Sequence, residues 1–274
     1  MIIGQSKLKS DFKRLLETNS IPRCLIIGGP KGSGKKTFVR WLATQMNAFI
    51  IESDVKADDV RDVIAQSYQI ADKTVYIFPD FHRMSNVAQN ALLKITEEPP
   101  NNAYFLLTTE NDAMILNTIL SRATFFQMDP YSSKELSEYL THIGEPNNTD
   151  LYLSICDNPG EIDLLKTYDI KAFWDFMNLV LDNIATTSGA NAFRIGDKIN
   201  LSNADDKYDL KLFWKAFITL CMQHIKESPF KYSAGVRFTG RYLRELSING
   251  LNKQMCFDNW LLAIREEWLA YAND

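Results

Sequence analysis

The sequence lacks the features that a metal-binding, disulfide-bonded or membrane-spanning protein would show. Its four cysteines, Cys24, Cys156, Cys221 and Cys256, are widely scattered and form no C-x-x-C pair. We therefore expect neither a zinc module nor a disulfide framework. The longest apolar runs are far shorter than a bilayer span, and the N-terminus has no basic segment followed by an apolar stretch. These absences predict a cytoplasmic chain without a metal site or a membrane contact.

An excess of positive charge is also missing. The chain has 30 Lys and Arg against 34 Asp and Glu, a formal net charge of −4. No global positive field would draw it to nucleic acid, so any DNA contact must be local or shared with partners. At 274 residues and 46% hydrophobic content, the chain can bury one large core or two to three modest ones.

Short apolar segments alternate with helical patterns in the first half of the chain. Strands are predicted at 23–28, 48–52, 74–78, 103–109 and 124–128, and helices at 6–18, 35–46 and 85–97. Five strands interleaved with helices predict a mostly parallel sheet of the α/β class.

After Pro130 the pattern is helical almost throughout. Ser132 and Glu135 have the spacing of a capping box, and Asn158-Pro-Gly160 interrupts a short helical region. From about residue 171 apolar residues recur at helical spacing with many aromatics, which we interpret as core or subunit packing rather than as a stacking surface for DNA. We predict an α/β domain at 1–130, a small helical domain at 131–168 and a C-terminal helical domain at 169–274.

A glycine-rich loop follows the first strand and leads into a helix. The segment 29–35 matches G-x-x-x-x-G-K, with Gly29, Gly32 and Gly34 as its glycines and Lys35 as its lysine. Glycines let backbone N–H groups surround a phosphate, the helix N-terminus adds partial positive charge, and the lysine reaches the outer phosphates. The loop predicts a nucleotide-binding site.

The catalytic parts of such a site are weakened in this sequence. Lys36 stands where a Ser or Thr hydroxyl would hold magnesium, and Thr37 is one position too late to point the same way. At the end of the 74–78 strand, Pro79-Asp80 replaces the acidic pair that would hold magnesium and polarise the attacking water. We interpret Asp80 as a capping or solvated residue in preference to a catalytic acid.

Several segments together resemble the clamp-loader AAA+ family. They are Ile3-Gly-Gln5, Gln89-Asn-Ala-Leu-Leu-Lys-Ile-Thr-Glu-Glu-Pro-Pro100, Phe105-Leu-Leu-Thr-Thr109 and Thr118-Ile-Leu-Ser-Arg122, in the family's order and spacing over residues 1 to about 130. The resemblance implies a AAA+ P-loop domain, a helical lid domain at 131–168 and a helical collar domain at 169–274 that oligomerises the loader.

Within that family the sequence looks most like the delta-prime subunits of bacterial DNA polymerase III. Those subunits keep an arginine in a Ser-Arg-Cys motif that reaches the neighbouring subunit's ATP, and this chain has Ser121-Arg122-Ala123, without the cysteine. A guanidinium supplied in trans would stabilise the transferring phosphoryl group. The alternative for Arg122 is an ordinary surface ion pair.

The resemblance also assigns a sensor position and indicates two missing parts. Thr109 falls at the sensor position facing the γ-phosphate, although a threonine ending a strand is common without a function. The later sensor arginine is absent, because acids follow Gly160, and the four-cysteine zinc module of many delta-prime relatives is absent between 48 and 73.

The implied role is a stator that loads the sliding clamp on primed DNA. Its partners would be the ATP-hydrolysing gamma/tau subunits and the delta subunit, with the clamp and DNA contacted through the complex. ATP or ADP could occupy the P-loop without efficient hydrolysis. The alternatives are a motor-type clamp-loader ATPase or another AAA+ ATPase, with Asp80 standing in for the acidic pair, and a AAA+ scaffold used outside replication.

Overall fold

A computed structural model of the chain describes residues 2–53, 57–185, 194–201, 207–246 and 251–272. It contains two compact units. The first consists of Met1–His142 with Asn158–Gly160, and the second of Ile143–Asp157 with Glu161–Asp274. The α/β class with a helical C-terminal region is confirmed, whereas the three-domain division stays a prediction.

The first unit is built on a parallel five-stranded sheet in the order β2-β3-β4-β1-β5. Its strands are β1 Cys24–Gly28, β2 Phe49–Glu52, β3 Thr74–Phe78, β4 Ala103–Thr109 and β5 Thr124–Gln127. The three central strands are buried along their whole length, whereas the edge strands β2 and β5 are largely exposed. Because helices cover both faces of the sheet, the central strands are continuous apolar runs in the sequence. The predicted five strands are confirmed.

The first unit has seven helices in the ranges that the structure describes. They are α1 Ser6–Glu17, α2 Lys35–Gln45, α3 Ala57–Ser67, α4 Asn86–Ala91, α5 Leu93–Glu97, α6 Asn117–Leu120 and α7 Ser133–His142. α1 and α2 contribute Leu8, Phe12 and Phe38 to the core on one face, and α4 and α5 contribute to the core on the other. Short 3₁₀ helices lie at Phe81–Arg83 and Asp112–Met114.

The start of α7 and the junction of α4 and α5 bear on two predictions from the sequence. The capping box is confirmed at the start of α7, since the Ser132 N–H donates to Glu135 Oε2 at 2.8 Å and the Glu135 N–H donates to Ser132 Oγ at 3.3 Å. The single helix predicted at 85–97 is wrong in one respect. It divides at Leu92, whose N–H donates to the Gln89 carbonyl three residues back, as in a 3₁₀ turn.

The second unit is helical with a single short parallel strand pair in the part that the structure describes. Its helices are α8 Thr149–Ile155, α9 Pro159–Lys166, which begins in the segment grouped with the first unit, α10 Ile170–Asn183, α11 Leu210–His224, α12 Pro229–Glu245 and α13 Lys253–Ala272. Two 3₁₀ helices, Pro146–Asn148 and Arg194–Lys198, accompany them, and the strands are β6 Ile199–Asn200 and β7 Tyr208–Asp209.

Aromatic side chains form the centre of the second unit. Trp214, Trp260 and Trp268 are fully buried, and the Trp260 indole N–H donates to Thr239 Oγ1 at 2.9 Å. Their burial agrees with the packing interpretation and leaves these three rings unable to stack on a base. Within the described ranges, no helix is both long and apolar enough to cross a membrane.

Candidate functional site

The predicted phosphate-binding loop connects β1 to α2 in the first unit. Gly32 and Gly34 have φ values of 83° and 85°, which only glycine adopts without strain, and Gly34 directly precedes the first residue of α2. The Gly29 N–H donates to the Thr109 carbonyl at 3.1 Å, and Tyr131 Oη donates to the Ser33 carbonyl at 2.9 Å. The loop is therefore fastened at its start to β4 and near its end to the segment before α7.

The middle of the loop touches the Asn158–Gly160 segment of the same unit. The Gly160 N–H donates to the Gly32 carbonyl at 2.9 Å. A Cβ added to Gly32 would lie 2.4 Å from Asn158 Oδ1, and one added to Gly160 would lie 2.4 Å from the Gly32 Cα. Both positions require glycine because the two backbones are in direct contact. The sequence pattern assigned Gly32 a phosphate-binding role alone and missed this contact.

Lys35 is turned toward the loop itself. Its ammonium donates to the carbonyls of Gly29 at 2.9 Å and Pro30 at 2.8 Å, and lies 3.9 Å from Glu110 Oε1. Burial lowers the pKa of Lys35, and the carboxylates of Glu110 and Asp80 offset part of that effect. The cation that should meet phosphate is thus paired with loop oxygens in this structure.

The remaining predicted nucleotide-site residues are exposed or hydrogen-bonded to neighbouring loop atoms. Lys36 and Thr37 are exposed at the start of α2. Asp80 follows β3 with a φ of 50°, and its N–H donates to Thr108 Oγ1 at 3.0 Å. The Thr109 hydroxyl donates to the Asn111 carbonyl at 2.9 Å and accepts the Asn111 N–H at 3.1 Å. The Thr109 hydroxyl therefore stabilises the turn after β4. The sensor role would need this same hydroxyl to face the γ-phosphate.

Glu110 is a charged residue of this region that the sequence interpretation missed. Its N–H donates to His82 Nδ1 at 3.3 Å, and burial lowers the pKa of His82. Glu110 also lines a cavity of about 290 Å³ at the carboxyl ends of β1, β4 and β5, with Asp112 and Gln127. Its position directly after a buried strand, next to Thr109, was the available signal. Within the described ranges no group of three or more His, Cys, Asp or Glu could hold a metal ion.

Arg122 follows α6, directly after the C-cap residue Ser121. Its guanidinium donates to the Thr118 carbonyl at 2.7 Å and pairs with Glu97 Oε1 at 2.8 Å. The side chains of Arg122 and Glu97 are 37% and 52% exposed. Such exposed pairs contribute roughly 0–1 kcal/mol. The contact is the surface ion pair that the alternative interpretation of Arg122 describes.

Gln89 fixes the segment that leads to Arg122. Its buried amide donates to the carbonyls of Met84 at 3.2 Å and Met114 at 3.0 Å, and its oxygen accepts the Leu116 N–H at 2.9 Å. The family pattern contains Gln89 without assigning it a role, because a side chain that bonds backbone 25 and 27 residues away leaves no periodic signal.

We expect Gln89→Leu to destabilise the first unit by about 2–3 kcal/mol, because the Met114 carbonyl and Leu116 N–H would lose their partner where water cannot replace it. Thermal unfolding, with amide exchange over 112–122, measures the effect. Gln66→Leu on the exposed face of α3 is the matched control. Equal stabilities of the two variants would show that Gln89 does not hold this segment.

Comparison with known proteins shows sequence similarity to bacterial replication subunits. A family model described as "DNA polymerase III, delta subunit" matches residues 48–132. The chain is 28% identical over 184 residues to the DNA polymerase III subunit gamma of Buchnera aphidicola subsp. Acyrthosiphon pisum, covering 55% of this chain and 51% of that protein. It is 26% identical over 220 residues to the subunit tau of Escherichia coli, covering 69% and 33%.

A further similarity is to the subunit delta' of Haemophilus influenzae, with 33% identity over 111 residues, 39% of this chain and 34% of that one. The chain spans about half the length of the gamma subunits it matches. These similarities support the clamp-loader AAA+ family, and they do not single out the delta-prime type.

Solved structures show the same fold. The Thermotoga maritima RuvB Holliday junction branch migration motor superposes with a TM-score of 0.51 at 19% identity, covering 98% of this chain and 88% of that one. A point-substituted form of the same protein gives a TM-score of 0.52 at 19% identity, covering 98% and 88%. At this identity the likeness concerns the AAA+ fold alone.

Proposed function

We propose that this chain, as a relative of the clamp-loader AAA+ family, acts in the delta-prime role: a stator that donates Arg122 to a neighbouring subunit's ATP. It would assemble in the cytoplasm with gamma/tau and delta subunits and help to load the sliding clamp on primed DNA. The observation that carries the proposal is the pairing of Lys35 with the carbonyls of its own loop, in a chain whose Arg122 stays accessible.

Hydrolysis by this chain would be inefficient for a physical reason. A phosphate can be bound by Lys35 only after its ammonium leaves Gly29 and Pro30. Lys36 then places an ammonium group where magnesium needs a hydroxyl oxygen. Repulsion between that ammonium and the magnesium ion disfavours binding of the metal. Gly29, Gly32, Gly34 and Lys35 could still hold ATP or ADP, with slow turnover.

The separate lid at 131–168 and collar at 169–274 belong to the same proposal. In that arrangement the helical second unit would join the chain to other subunits, and the first unit would present Arg122 at the subunit boundary.

The second candidate is a motor-type ATPase of the same complex. Similarity to proteins named gamma and tau favours it, and so does the presence of Lys35 and Asp80 near one another. It requires Asp80 alone to replace an acidic pair.

ATP hydrolysis by the chain alone and by the reconstituted loader, with clamp and primed DNA, distinguishes the two candidates. For a stator, the isolated chain has no turnover above background, and Lys35→Ala leaves the turnover of the loader unchanged. Turnover by the chain alone that Lys35→Ala abolishes would instead identify a motor. Lys7→Ala is the matched control, since it removes an exposed cation of α1 that lies outside the phosphate loop.

A further inference from the structure

A groove with both apolar and polar lining lies between α1 and α2 in the first unit and has no role in the proposed function. Its volume is about 560 Å³, and the side chains of Ser6, Lys9, Ser10, Lys13, Trp41 and Gln45 line it. Trp41 and Gln45 lie on the second half of α2, so about 9 Å of helix separates Trp41 from the residue that follows the phosphate loop. The groove is thus distinct from the nucleotide site.

The two helices that form the groove have a net positive charge, although the whole chain is acidic. α1 and α2 together contain seven basic and two acidic residues, a net of +5, whereas the whole chain has −4. The acids of α1, Asp11 and Glu17, are not among the residues that line the groove. Lys9 and Lys13 are one helical turn apart and so share a face. Lys35 and Arg40 are paired with Glu110 and Glu52. The positive charge at the groove therefore comes from Lys9 and Lys13, which suit an anion with more than one charged group.

Trp41 gives the groove an aromatic wall. Its ring packs at 5.3 Å from Phe38 and is partly exposed, whereas Trp214, Trp260 and Trp268 are fully buried. Lys9 donates at 3.3 Å to the carbonyl of Ile2, which also lines the groove. Serine hydroxyls and a glutamine amide supply further donors beside the ring.

We propose that this groove binds single-stranded nucleic acid, with phosphates on Lys9 and Lys13 and a base stacked on Trp41. Phosphate contacts from lysines together with an aromatic platform are the combination by which proteins hold single strands without reading sequence. The alternative is that Lys9 and Lys13 belong to an ordinary solvated face of α1. Such a face would have neither the concave shape nor the aromatic ring of Trp41. The inference does not depend on the clamp-loader role.

Fluorescence anisotropy of a labelled oligothymidylate of about 16 nucleotides with the 274-residue chain tests the proposal. We expect Lys9→Gln/Lys13→Gln to weaken binding at least about tenfold and to reduce the slope of log K against log salt by about 1.4, the value for two lost phosphate contacts. Lys7→Gln/Arg14→Gln changes the charge of the same helix by the same amount outside the groove lining and should have a small effect. Equal losses for the two double variants would overturn the assignment of the groove.

The aromatic contact has its own test. Trp41→Leu should weaken binding of oligothymidylate about tenfold while leaving an abasic strand of the same length unaffected. Equal affinity of the wild type for the abasic strand and oligothymidylate would reduce the site to simple anion attraction and overturn the stacking. Oligouridylate compared with oligothymidylate tells whether RNA or DNA is preferred, and either preference supports a single-strand site. Circular dichroism melting confirms that each variant is folded.

Discussion

In the proposed stator role, Arg122→Ala should lower the rate of ATP hydrolysis about 10³-fold at the neighbouring subunit's site. A guanidinium supplied in trans contributes about 10³–10⁵ to turnover of such sites, because it neutralises charge that develops on the transferring phosphoryl group. The measurement is steady-state ATP hydrolysis by the reconstituted loader with clamp and primed DNA. The total rate of the loader should fall by the fraction of its ATP hydrolysis that takes place at this one interface.

Conservative and neighbouring variants separate this role from folding. Arg122→Lys keeps the charge but loses the planar fork, so it should restore only a small part of the rate. Glu97→Gln removes the exposed partner of Arg122 and should leave hydrolysis unchanged or slightly higher. Arg83→Ala removes another exposed arginine of the first unit and serves as the matched control. Unchanged hydrolysis with Arg122→Ala would leave the residue as a surface ion pair.

Much of the fold followed from short-range patterns. The apolar runs of β1, β3 and β4 and the glycines before α2 were sufficient for the sheet and its loop, because burial on both faces and positive φ values restrict residue types strongly. β6 and β7 were not predicted. Each has two residues, which is too short for any alternation to appear.

The contacts that define the site were harder to predict. Lys35 bonding to Gly29, Gln89 bonding to Leu116 and Gly32 touching Gly160 all depend on where the chain returns in space. The local patterns identified the lysine and the glycines of the loop but contained no indication of these partners. Residue type limits what a side chain can do, whereas tertiary structure decides which of those options is realised.

A buried charge cluster in the second unit supports a second large effect. Glu161 is 7% exposed and accepts the Asp157 N–H at 2.9 Å, Lys211 Nζ at 2.6 Å and Lys215 Nζ at 2.6 Å. Lys215 also pairs with the Asp157 carboxylate. The cluster joins Asp157, which precedes α9, and Glu161 of α9 to α11. Glu161 directly follows Gly160, where the family resemblance would place the later sensor arginine.

We expect Lys215→Met to destabilise the second unit by about 3 kcal/mol, because it leaves the Glu161 carboxylate without its most buried cation. At roughly 2–4 °C per kcal/mol for a chain of this size, thermal unfolding should shift by about 6–12 °C. Lys226→Met removes an exposed lysine and should shift it little. Glu161→Leu/Lys215→Leu should recover part of the loss, because it leaves neither of these charges buried without the other. A shift for Lys215→Met no larger than that for Lys226→Met would contradict a structural role for the cluster.

The same cluster predicts how stability depends on pH. Burial alone would raise the pKa of Glu161, but the hydrogen bonds from Asp157, Lys211 and Lys215 outweigh it and hold that pKa below its ordinary value. Burial would likewise lower the pKa of Lys215, and its bonds to Asp157 and Glu161 raise it instead. The Glu161 contribution is therefore present above the ordinary carboxyl pKa of about 4.3 and is lost as pH falls through the lower folded value. The Lys215 contribution is present below about 10.4 and is lost as pH rises through the higher folded value.

Denaturant unfolding of wild type and Lys215→Met across this pH range measures the effect. The difference between their free energies of unfolding should be greatest near neutral pH and should shrink at both ends. A difference that stays constant with pH would mean that Lys215 stabilises the unit through its aliphatic packing, independently of its charge.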